Sequence, residues 1–377
     1  MHLCEFTMQV EAICALKSHG HRVVLVTSGA VSVGCQRMKL AARPKDLVTK
    51  QAVAAVGQVR LMRMYDDLFS QLDQPVAQVL LSRENINRRH HYTNASNTLE
   101  GLLKMGVVPI VNENDTVAVE ELRVGDNDTL SALVASLLQA DWLVLLTDVD
   151  ALYTADPRKD PNAKAIHVVE NLDDLHADVG SASAGASAAA PAQSGQWGTG
   201  GMATKLQAAR IATCAGVTTV VTKSTEPQNV LRIIKGERIG TVFMPKARPL
   251  QGKKLWIAHG LRPSGEVTLD EGASRAVLAN SSLFAAGIKA VSGKFDAQSS
   301  VVIRDEHGRE IAKGIVNYAS SEIDQIKGLS SAKYADVLGY SGSDEVISRD
   351  NLAITAQGIV KSGSNSNLQM AAGKPTS

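Results

Sequence analysis

The sequence predicts an α/β protein: a doubly wound, mostly parallel sheet followed by a small β-barrel-like domain. Up to Pro245, short apolar runs alternate with helix-like segments, which is typical of strands joined by crossover helices. One run, Trp142 to Leu146, is apolar throughout, as expected for a strand covered on both faces. From Lys253 onward, short alternating segments between glycine-containing turns favour a β-rich second domain.

Apolar runs bounded by turn residues predict the strands, and a 3.6-residue periodicity predicts the helices. In the first domain, strands are predicted at 21–26, 76–81, 108–111, 142–146 and 217–222, and helices at 8–19, 49–71, 93–105 and 130–138. The longest helix carries an apolar stripe of Val53, Val56, Leu61, Met64 and Leu68. In the second domain, strands are predicted at 255–258, 266–269, 288–291, 301–304 and 311–316.

Composition describes an ordinary globular protein. The 377 residues predict about two domains, with 44% hydrophobic and 20% charged residues. Only 4% are aromatic and the net charge is +1, so binding to nucleic acid or to an anionic membrane is not expected. The apolar runs are too short to span a membrane. The cysteines, Cys4, Cys14, Cys35 and Cys214, fit neither a zinc motif nor a disulfide framework, which predicts a reducing, cytoplasmic compartment.

Two acidic, amide-rich loops lie about a dozen residues apart, each at one end of a predicted element. Residues 112–115 (NEND) end a buried strand, and residues 125–129 (GDNDT) precede a helix. Ligands bind at the carboxyl ends of strands in open α/β sheets, and such loops suit a substrate ammonium or hydrated Mg²⁺. The alternative is a pair of Asx turns formed for local reasons.

Two further loops favour anions. The turn at 27–30 (TSGA) joins a strand to a helix, and residues 198–205 (GTGGMATK) form a glycine-rich loop that enters a helix. Backbone N–H groups at a helix amino end can surround phosphate oxygens, and Lys205 in the first turn adds a positive charge. A flexible linker ending in a surface lysine is the alternative.

Taken together, these motifs resemble the glutamate 5-kinases of the amino-acid kinase family. They are VVLVTSGAVSVG, KQAVAAVGQ, VPIVNENDTVAVEELRVGDNDTLSA, LLTDVDALYTADPR and GTGGMATKLQAA, in that order. GEVTLDEGAS, AAGIKAVSGKF and VVIRDEHGREIAKG resemble a PUA domain. The expected organisation is a kinase domain at 1–248 with a low-complexity insertion at 180–196, a PUA domain at 253–340 and a loose tail at 341–377.

The resemblance implies transfer of the ATP γ-phosphate to the γ-carboxylate of L-glutamate, the first step of proline synthesis. It implies glutamate binding by Ser28, Asp115 and Asn127, and catalytic roles for Lys205 and Asp148. The implied ATP-binding residues are Thr147, Asp148, Thr199, Gly200, Gly201, Met202, Ala203, Thr204 and Lys205. It further implies Mg²⁺ without a dedicated protein cage, a homo-oligomer (dimer or tetramer), feedback inhibition by proline and a glutamyl-phosphate reductase partner.

The residue types agree with that chemistry. A carboxylate with a pKa of about 4.3 is already ionised at neutral pH, so this reaction needs no general base. What remains is to position two anions and to neutralise charge on the transferring phosphoryl group. Lys205 and Mg²⁺ are expected to neutralise that charge. Asp115 is expected to hold the substrate ammonium, Asn127 and Ser28 its carboxylate, and Asp148 to orient Lys205 by charge pairing.

One departure concerns the amino end. The family begins with a strand and a glycine turn that carry a second phosphate-binding lysine, and here no lysine precedes Lys17. A truncated gene model or an alternative start is the preferred explanation, and a transit peptide upstream of Met1 stays open. The rival functions are another amino-acid kinase, a catalytically impaired regulator, and an RNA-binding protein acting through the PUA domain.

Overall fold

The chain folds around two main hydrophobic cores, one in each domain. A computed structural model describes residues 3–82, 86–117, 127–154, 162–172, 201–246, 249–250 and 252–355. Two adjoining clusters of buried side chains, drawn from residues 6–255, form the core of the first domain. A separate cluster, drawn from residues 267–352, forms the core of the second. The two-domain organisation therefore has a physical basis in separate cores.

The first domain alternates helices with strands, as predicted. Its helices are α1 (Leu3–Ser18), α2 (Ala30–Arg37), α3 (Leu47–Ser70), α4 (Arg89–Lys104), α5 (Asn127–Leu138), α6 (Met202–Cys214) and α7 (Asn229–Ile234). Its strands are β1 (Leu25–Val26), β2 (Val76–Leu81), β3 (Val108–Glu113), β4 (Trp142–Thr147), β5 (Leu152–Tyr153), β6 (Ala165–Ile166), β7 (Val168–Val169), β8 (Thr218–Lys223) and β9 (Thr241–Phe243).

Most strand pairs of this domain are parallel. One sheet has the order β1-β3-β2, and a second has the order β4-β8-β9-β7. Only the β8–β9 pair of these two sheets is antiparallel, and β5 and β6 form a small antiparallel pair of their own. The expected doubly wound, mostly parallel α/β fold is therefore confirmed.

In the first domain, a groove of about 600 Å³ lies between the sheet that contains β1 and the sheet that contains β4. It is lined by residues of β1 and β4, by α1 on one side and by α5 on the other. In β1, Val26 pairs with Val111 of β3, and Thr27 N–H donates to the Val111 carbonyl, so the N–H of Val26 itself points away from β3. Within the described ranges no strand fills this groove.

Glycines bring α2 and α3 unusually close together. A Cβ atom on Gly57 of α3 would overlap the Ala30 carbonyl, and one on Gly34 of α2 would overlap the Val53 carbonyl. Gly29, directly before α2, has a φ of 107°, a left-handed conformation that favours glycine. The contact fixes the turn at Ser28 beside the middle of α3.

The long predicted helix at 49–71 is confirmed as α3, with one difference in its buried face. Asp46 caps it by accepting a hydrogen bond of 2.8 Å from Thr49 N–H. Val53 and Leu61 are buried as predicted, but Val56 is 39% exposed. The buried face is completed by two aromatic side chains, Tyr65 and Phe69. Phe6 of α1 packs edge-on against Tyr65.

The second domain is built around a five-stranded sheet. Its strands are β10 (Gly265–Leu269), β11 (Ile288–Ser292), β12 (Ser300–Arg304), β13 (Glu310–Ile315) and β14 (Leu352–Ile354), in the order β11-β10-β12-β13-β14. Its helices are α9 (Glu271–Leu278), α10 (Ser320–Ile326) and α11 (Tyr334–Leu338), after the linking helix α8 (Gly252–Leu255). Four of the predicted strands are confirmed here.

Two expectations for this region are wrong. Residues 255–258 are not a strand, because Leu255 ends α8 and Trp256–Gly260 forms a π-helical turn. A short apolar run cannot by itself distinguish a buried strand from a buried helical turn. The tail is not loose up to Thr355, since β14 pairs antiparallel with β13 and Leu352 is fully buried. Residues 356–377 and the insertion at 180–196 lie outside the described residues.

Candidate active site

Four of the predicted site residues lie where parallel strands of the first domain end. Ser28 follows β1, Asp115 follows β3, and Thr147 and Asp148 close β4. Parallel strands present their carboxyl ends at one edge of a sheet, so the fold gathers residues that are far apart in the chain. Among the described parts of the chain, no helix is long and apolar enough to cross a membrane, and no group of three metal-ligating side chains is found.

An ion pair between a buried lysine and a partly buried aspartate lies at the amino ends of two helices. Lys205 of α6 is 6% exposed, and its Nζ lies 3.1 Å from Oδ2 of Asp128 in the first turn of α5. The Thr204 hydroxyl, 2.8 Å away, donates to the same oxygen. Burial strengthens such a charge-assisted contact and fixes the position of the ammonium group.

Asp128 is a residue that the sequence analysis assigned no role. Its signal was available, because it stands directly after Asn127 in the GDND motif. Asp148, which was expected to orient Lys205, is exposed and accepts a hydrogen bond of 3.0 Å from the Thr147 hydroxyl. The charged partner of Lys205 is thus the Asp128 carboxylate of α5.

Ser28 and Asn127 lie on the same groove as Asp128, at one end of the space between β1 and β4. Ser28 is exposed, and Thr27 beside it is anchored by a 3.0 Å hydrogen bond between its hydroxyl and that of Tyr65. The side-chain oxygen of Asn127 is buried and has no hydrogen-bond partner. An acceptor left unpaired in this position is available to a ligand.

Asp115 opens a short 3₁₀ turn, Asp115–Val117, that packs against α3. Burial raises the pKa of its carboxyl group, and the nearby positive charge of Arg43 partly offsets that effect. Arg43 comes from the loop between α2 and α3. The structure therefore sets Asp115 on the α3 side of the site, while Lys205 and Asp128 stand on the α5 and α6 side.

A buried amide pair accompanies Asp115. Asn112, near the end of β3, donates from Nδ2 to Oε1 of Gln58 over 2.8 Å. Asn112 and Gln58 are 2% and 9% exposed, respectively. Neither was singled out as a site residue from the sequence, where a glutamine on a long helix carries no local signal.

The glycine-rich loop is described only at its end. Thr199 and Gly200 lie outside the described residues. Gly201 stands at the amino cap of α6, no side chain caps that helix, and Met202, Ala203, Thr204 and Lys205 form its first turn. An amino end of this kind suits phosphate oxygens, and Lys205 adds the positive charge that nucleotide phosphates require.

Comparisons with known proteins identify the family of each domain. The family model described as "Amino acid kinase family" matches residues 7–223, and the model of the PUA domain matches residues 265–338. A glutamate 5-kinase of Nostoc punctiforme is 55% identical over 346 residues, which cover 91% of each chain. A glutamate 5-kinase of Acaryochloris marina is 56% identical over 348 residues, which cover 92% of each chain.

Solved structures give weaker likenesses. An isopentenyl phosphate kinase substrate complex is 18% identical, with a TM-score of 0.44, and covers 64% of this chain and 91% of its own. The UMP kinase of Bacillus anthracis is 16% identical, with a TM-score of 0.42, and covers 66% of this chain and 89% of its own.

Proposed function

The chain belongs to the amino acid kinase family, among its glutamate 5-kinases, and we propose that it transfers the γ-phosphoryl group of ATP to the γ-carboxylate of L-glutamate. The observation that carries the proposal is the Lys205–Asp128 pair, whose Asp128 lines the groove together with Ser28 and Asn127. The products are ADP and L-glutamyl 5-phosphate.

In this reaction a γ-carboxylate oxygen forms a bond to the γ-phosphorus as the bond to the β-phosphate oxygen breaks. The carboxylate is ionised at neutral pH, so no proton has to be removed. Catalysis then depends on alignment and on positive charge near the transferring oxygens. A buried lysine fixed by a carboxylate meets both needs, because it is prepositioned and shielded from water.

The roles follow from charge and place. Lys205 neutralises the phosphoryl group. Asp128 holds Lys205, and the Thr204 hydroxyl donates to the same Asp128 oxygen. Residues 199–205 cradle the nucleotide phosphates with Thr147 and Asp148, and Mg²⁺, when bound with ATP, supplies further charge neutralisation. Asp115 takes the substrate ammonium, and Ser28 and Asn127 contact the rest of glutamate. In this proposal Asp148 lies close to the nucleotide, and Asp128 rather than Asp148 pairs with Lys205.

The test is an assay of glutamate- and ATP-dependent acyl phosphate, trapped as the hydroxamate. We expect turnover with L-glutamate and at least about 100-fold lower kcat/KM with L-aspartate or N-acetyl-L-glutamate. N-acetyl-L-glutamate lacks the ammonium that the site binds, and the side chain of L-aspartate is too short to place its carboxylate. Preference for either control substrate would assign the chain to another amino-acid kinase activity. ATP binding without turnover would favour the regulatory alternative.

Other expectations stay predictions. They are a homo-oligomer, inhibition by proline, a glutamyl-phosphate reductase partner and a cytoplasmic location. RNA binding through the PUA domain stays an alternative without a supporting contact.

A further inference from the structure

A buried hydrogen-bond donor near the site has no partner. Gln58 of α3 is 9% exposed, and its Nε2 atom is buried without a hydrogen-bond partner. Buried side-chain amides nearly always form hydrogen bonds, since a buried donor without a partner costs the full desolvation free energy of that group. An unpaired donor beside a binding site is therefore a candidate contact for the ligand.

The direction of this donor is fixed by the backbone. The Glu113 N–H donates to Asn112 Oδ1 over 2.8 Å, which leaves Asn112 Nδ2 to face Gln58. Asn112 Nδ2 in turn donates to Gln58 Oε1 over 2.8 Å. Turning the Gln58 amide over would set two donors against each other, so Nε2 must point away from Asn112.

The position of Gln58 ties it to the amino-acid end of the substrate. Its partner Asn112 lies three positions before Asp115, the residue proposed to take the substrate ammonium. The preceding residue, Gly57, packs directly on Ala30, two residues after Ser28. The reacting γ-carboxylate has to approach Lys205, which leaves the α-carboxylate, on the same carbon as the ammonium, for the α3 side.

We propose that Gln58 is a substrate-binding residue whose Nε2 donates a hydrogen bond to the α-carboxylate of L-glutamate. The proposal rests on the proposed function and deepens it by naming a group that selects an α-amino acid. Because Asn112 holds the amide in one orientation, the donor is prepositioned and little rotamer freedom is lost on binding. A donor of this kind forms its strongest hydrogen bond with a negatively charged acceptor such as a carboxylate.

The experiment removes the donor in two ways. Gln58→Met keeps the length of the side chain without polar atoms, and Gln58→Glu keeps the acceptor for Asn112 but removes the donor. Gln71→Met is the matched control, since Gln71 is exposed at the carboxyl cap of the same helix. We expect both Gln58 variants to raise the KM for glutamate about 10- to 100-fold, with kcat and the KM for ATP within about twofold of wild type.

A substrate analogue tests which group Gln58 contacts. As a competitive inhibitor, 4-aminobutanoate keeps the ammonium and the reacting carboxylate but lacks the α-carboxylate. Its Ki is expected to be the same for wild type and Gln58→Met. A Ki that rises as much as the KM for glutamate would assign the contact to another group.

Two failures are distinguishable. A wild-type protein without glutamate-dependent turnover would overturn the proposed function itself. An active wild type together with a folded Gln58→Met or Gln58→Glu protein of unchanged KM for glutamate would overturn this inference alone. If Gln58→Met does not fold, Gln58→Glu, which retains the bond to Asn112, decides the question.

Discussion

The buried Lys205 and the partly buried Asp128 form an ion pair, 3.1 Å between Nζ and Oδ2, that joins the first turns of α5 and α6. An ammonium group has three N–H donors, and Asp128 uses one of them. Removing one partner of a buried pair leaves an uncompensated charge. The pair therefore links the position of the proposed phosphate-binding lysine to the packing of two helices.

Lys205→Ala is expected to lower kcat about 100-fold or more and to change the KM for glutamate only slightly. The reason is that the lysine acts on charge that develops in the transition state, by analogy with the removal of a single donor from such a site. Steady-state kinetics in the hydroxamate assay measures both constants. Arg210→Ala is the control, because Arg210 is exposed on the same helix. Turnover at the wild-type rate in Lys205→Ala would contradict the assignment.

Asp128→Asn is expected to lower kcat about tenfold, less than the loss of the lysine itself, because the amide oxygen can still accept a hydrogen bond. In the double variant with Lys205→Ala, the two effects should not multiply, since Asp128 acts through Lys205. A double-mutant cycle on kcat measures that coupling. Independent, multiplying effects would show that Asp128 acts on the substrates without the lysine.

Removal of the second domain should leave most of the glutamate phosphorylation intact, provided that the cut falls after Arg262. Leu255 belongs to the core of the first domain, and Trp256 Nε1 donates to the Ile86 carbonyl over 3.0 Å. A chain ending at residue 252 loses both contacts and should melt at a lower temperature than one ending at residue 262. Circular dichroism and the hydroxamate assay compare the two. A folded 1–262 chain without turnover would make the second domain part of the active unit.

His259 should make the protein less stable as the pH falls below about 6.5. Its Nε2 is buried without a partner, and burial, reinforced by Lys313 and Lys246, lowers the pKa of the imidazole to about 3. The unfolded chain then takes up a proton at about pH 6.5, where the folded protein does not. Stability contributed by the neutral ring is present above that pH and is lost towards pH 3, at up to about 1.4 kcal/mol per pH unit.

His259→Gln should flatten this part of the pH profile. Urea unfolding between pH 7 and pH 4 measures the free energy of unfolding for each protein. His307→Gln is the matched control, because His307 is exposed and the steep profile should remain in that variant. The prediction fails when wild type and His259→Gln lose stability in parallel.

The sequence alone determined the fold class, most elements and the family. These properties depend on local patterns: apolar runs bounded by turns predict buried strands, and the glycine and asparagine of the loops mark the ends of elements. The motif order from TSGA to GTGGMATK is likewise visible without coordinates. The long helix was predicted to within two residues at its start and one at its end, because its periodicity extends over many turns.

Only the tertiary structure decided which side chains meet. Lys205 and Asp128 are 77 positions apart, and Gln58 and Asn112 are 54 apart, so no local period relates them. Asp148 follows a predicted strand and Asp128 precedes a predicted helix, and the packing of α5 against α6 selected Asp128 as the lysine's partner. The strand β14 formed because β13 offered it an unpaired edge, although its own sequence is short and lies among turn residues. A pattern along the chain reports the face that a residue presents, whereas its partner depends on how distant elements pack.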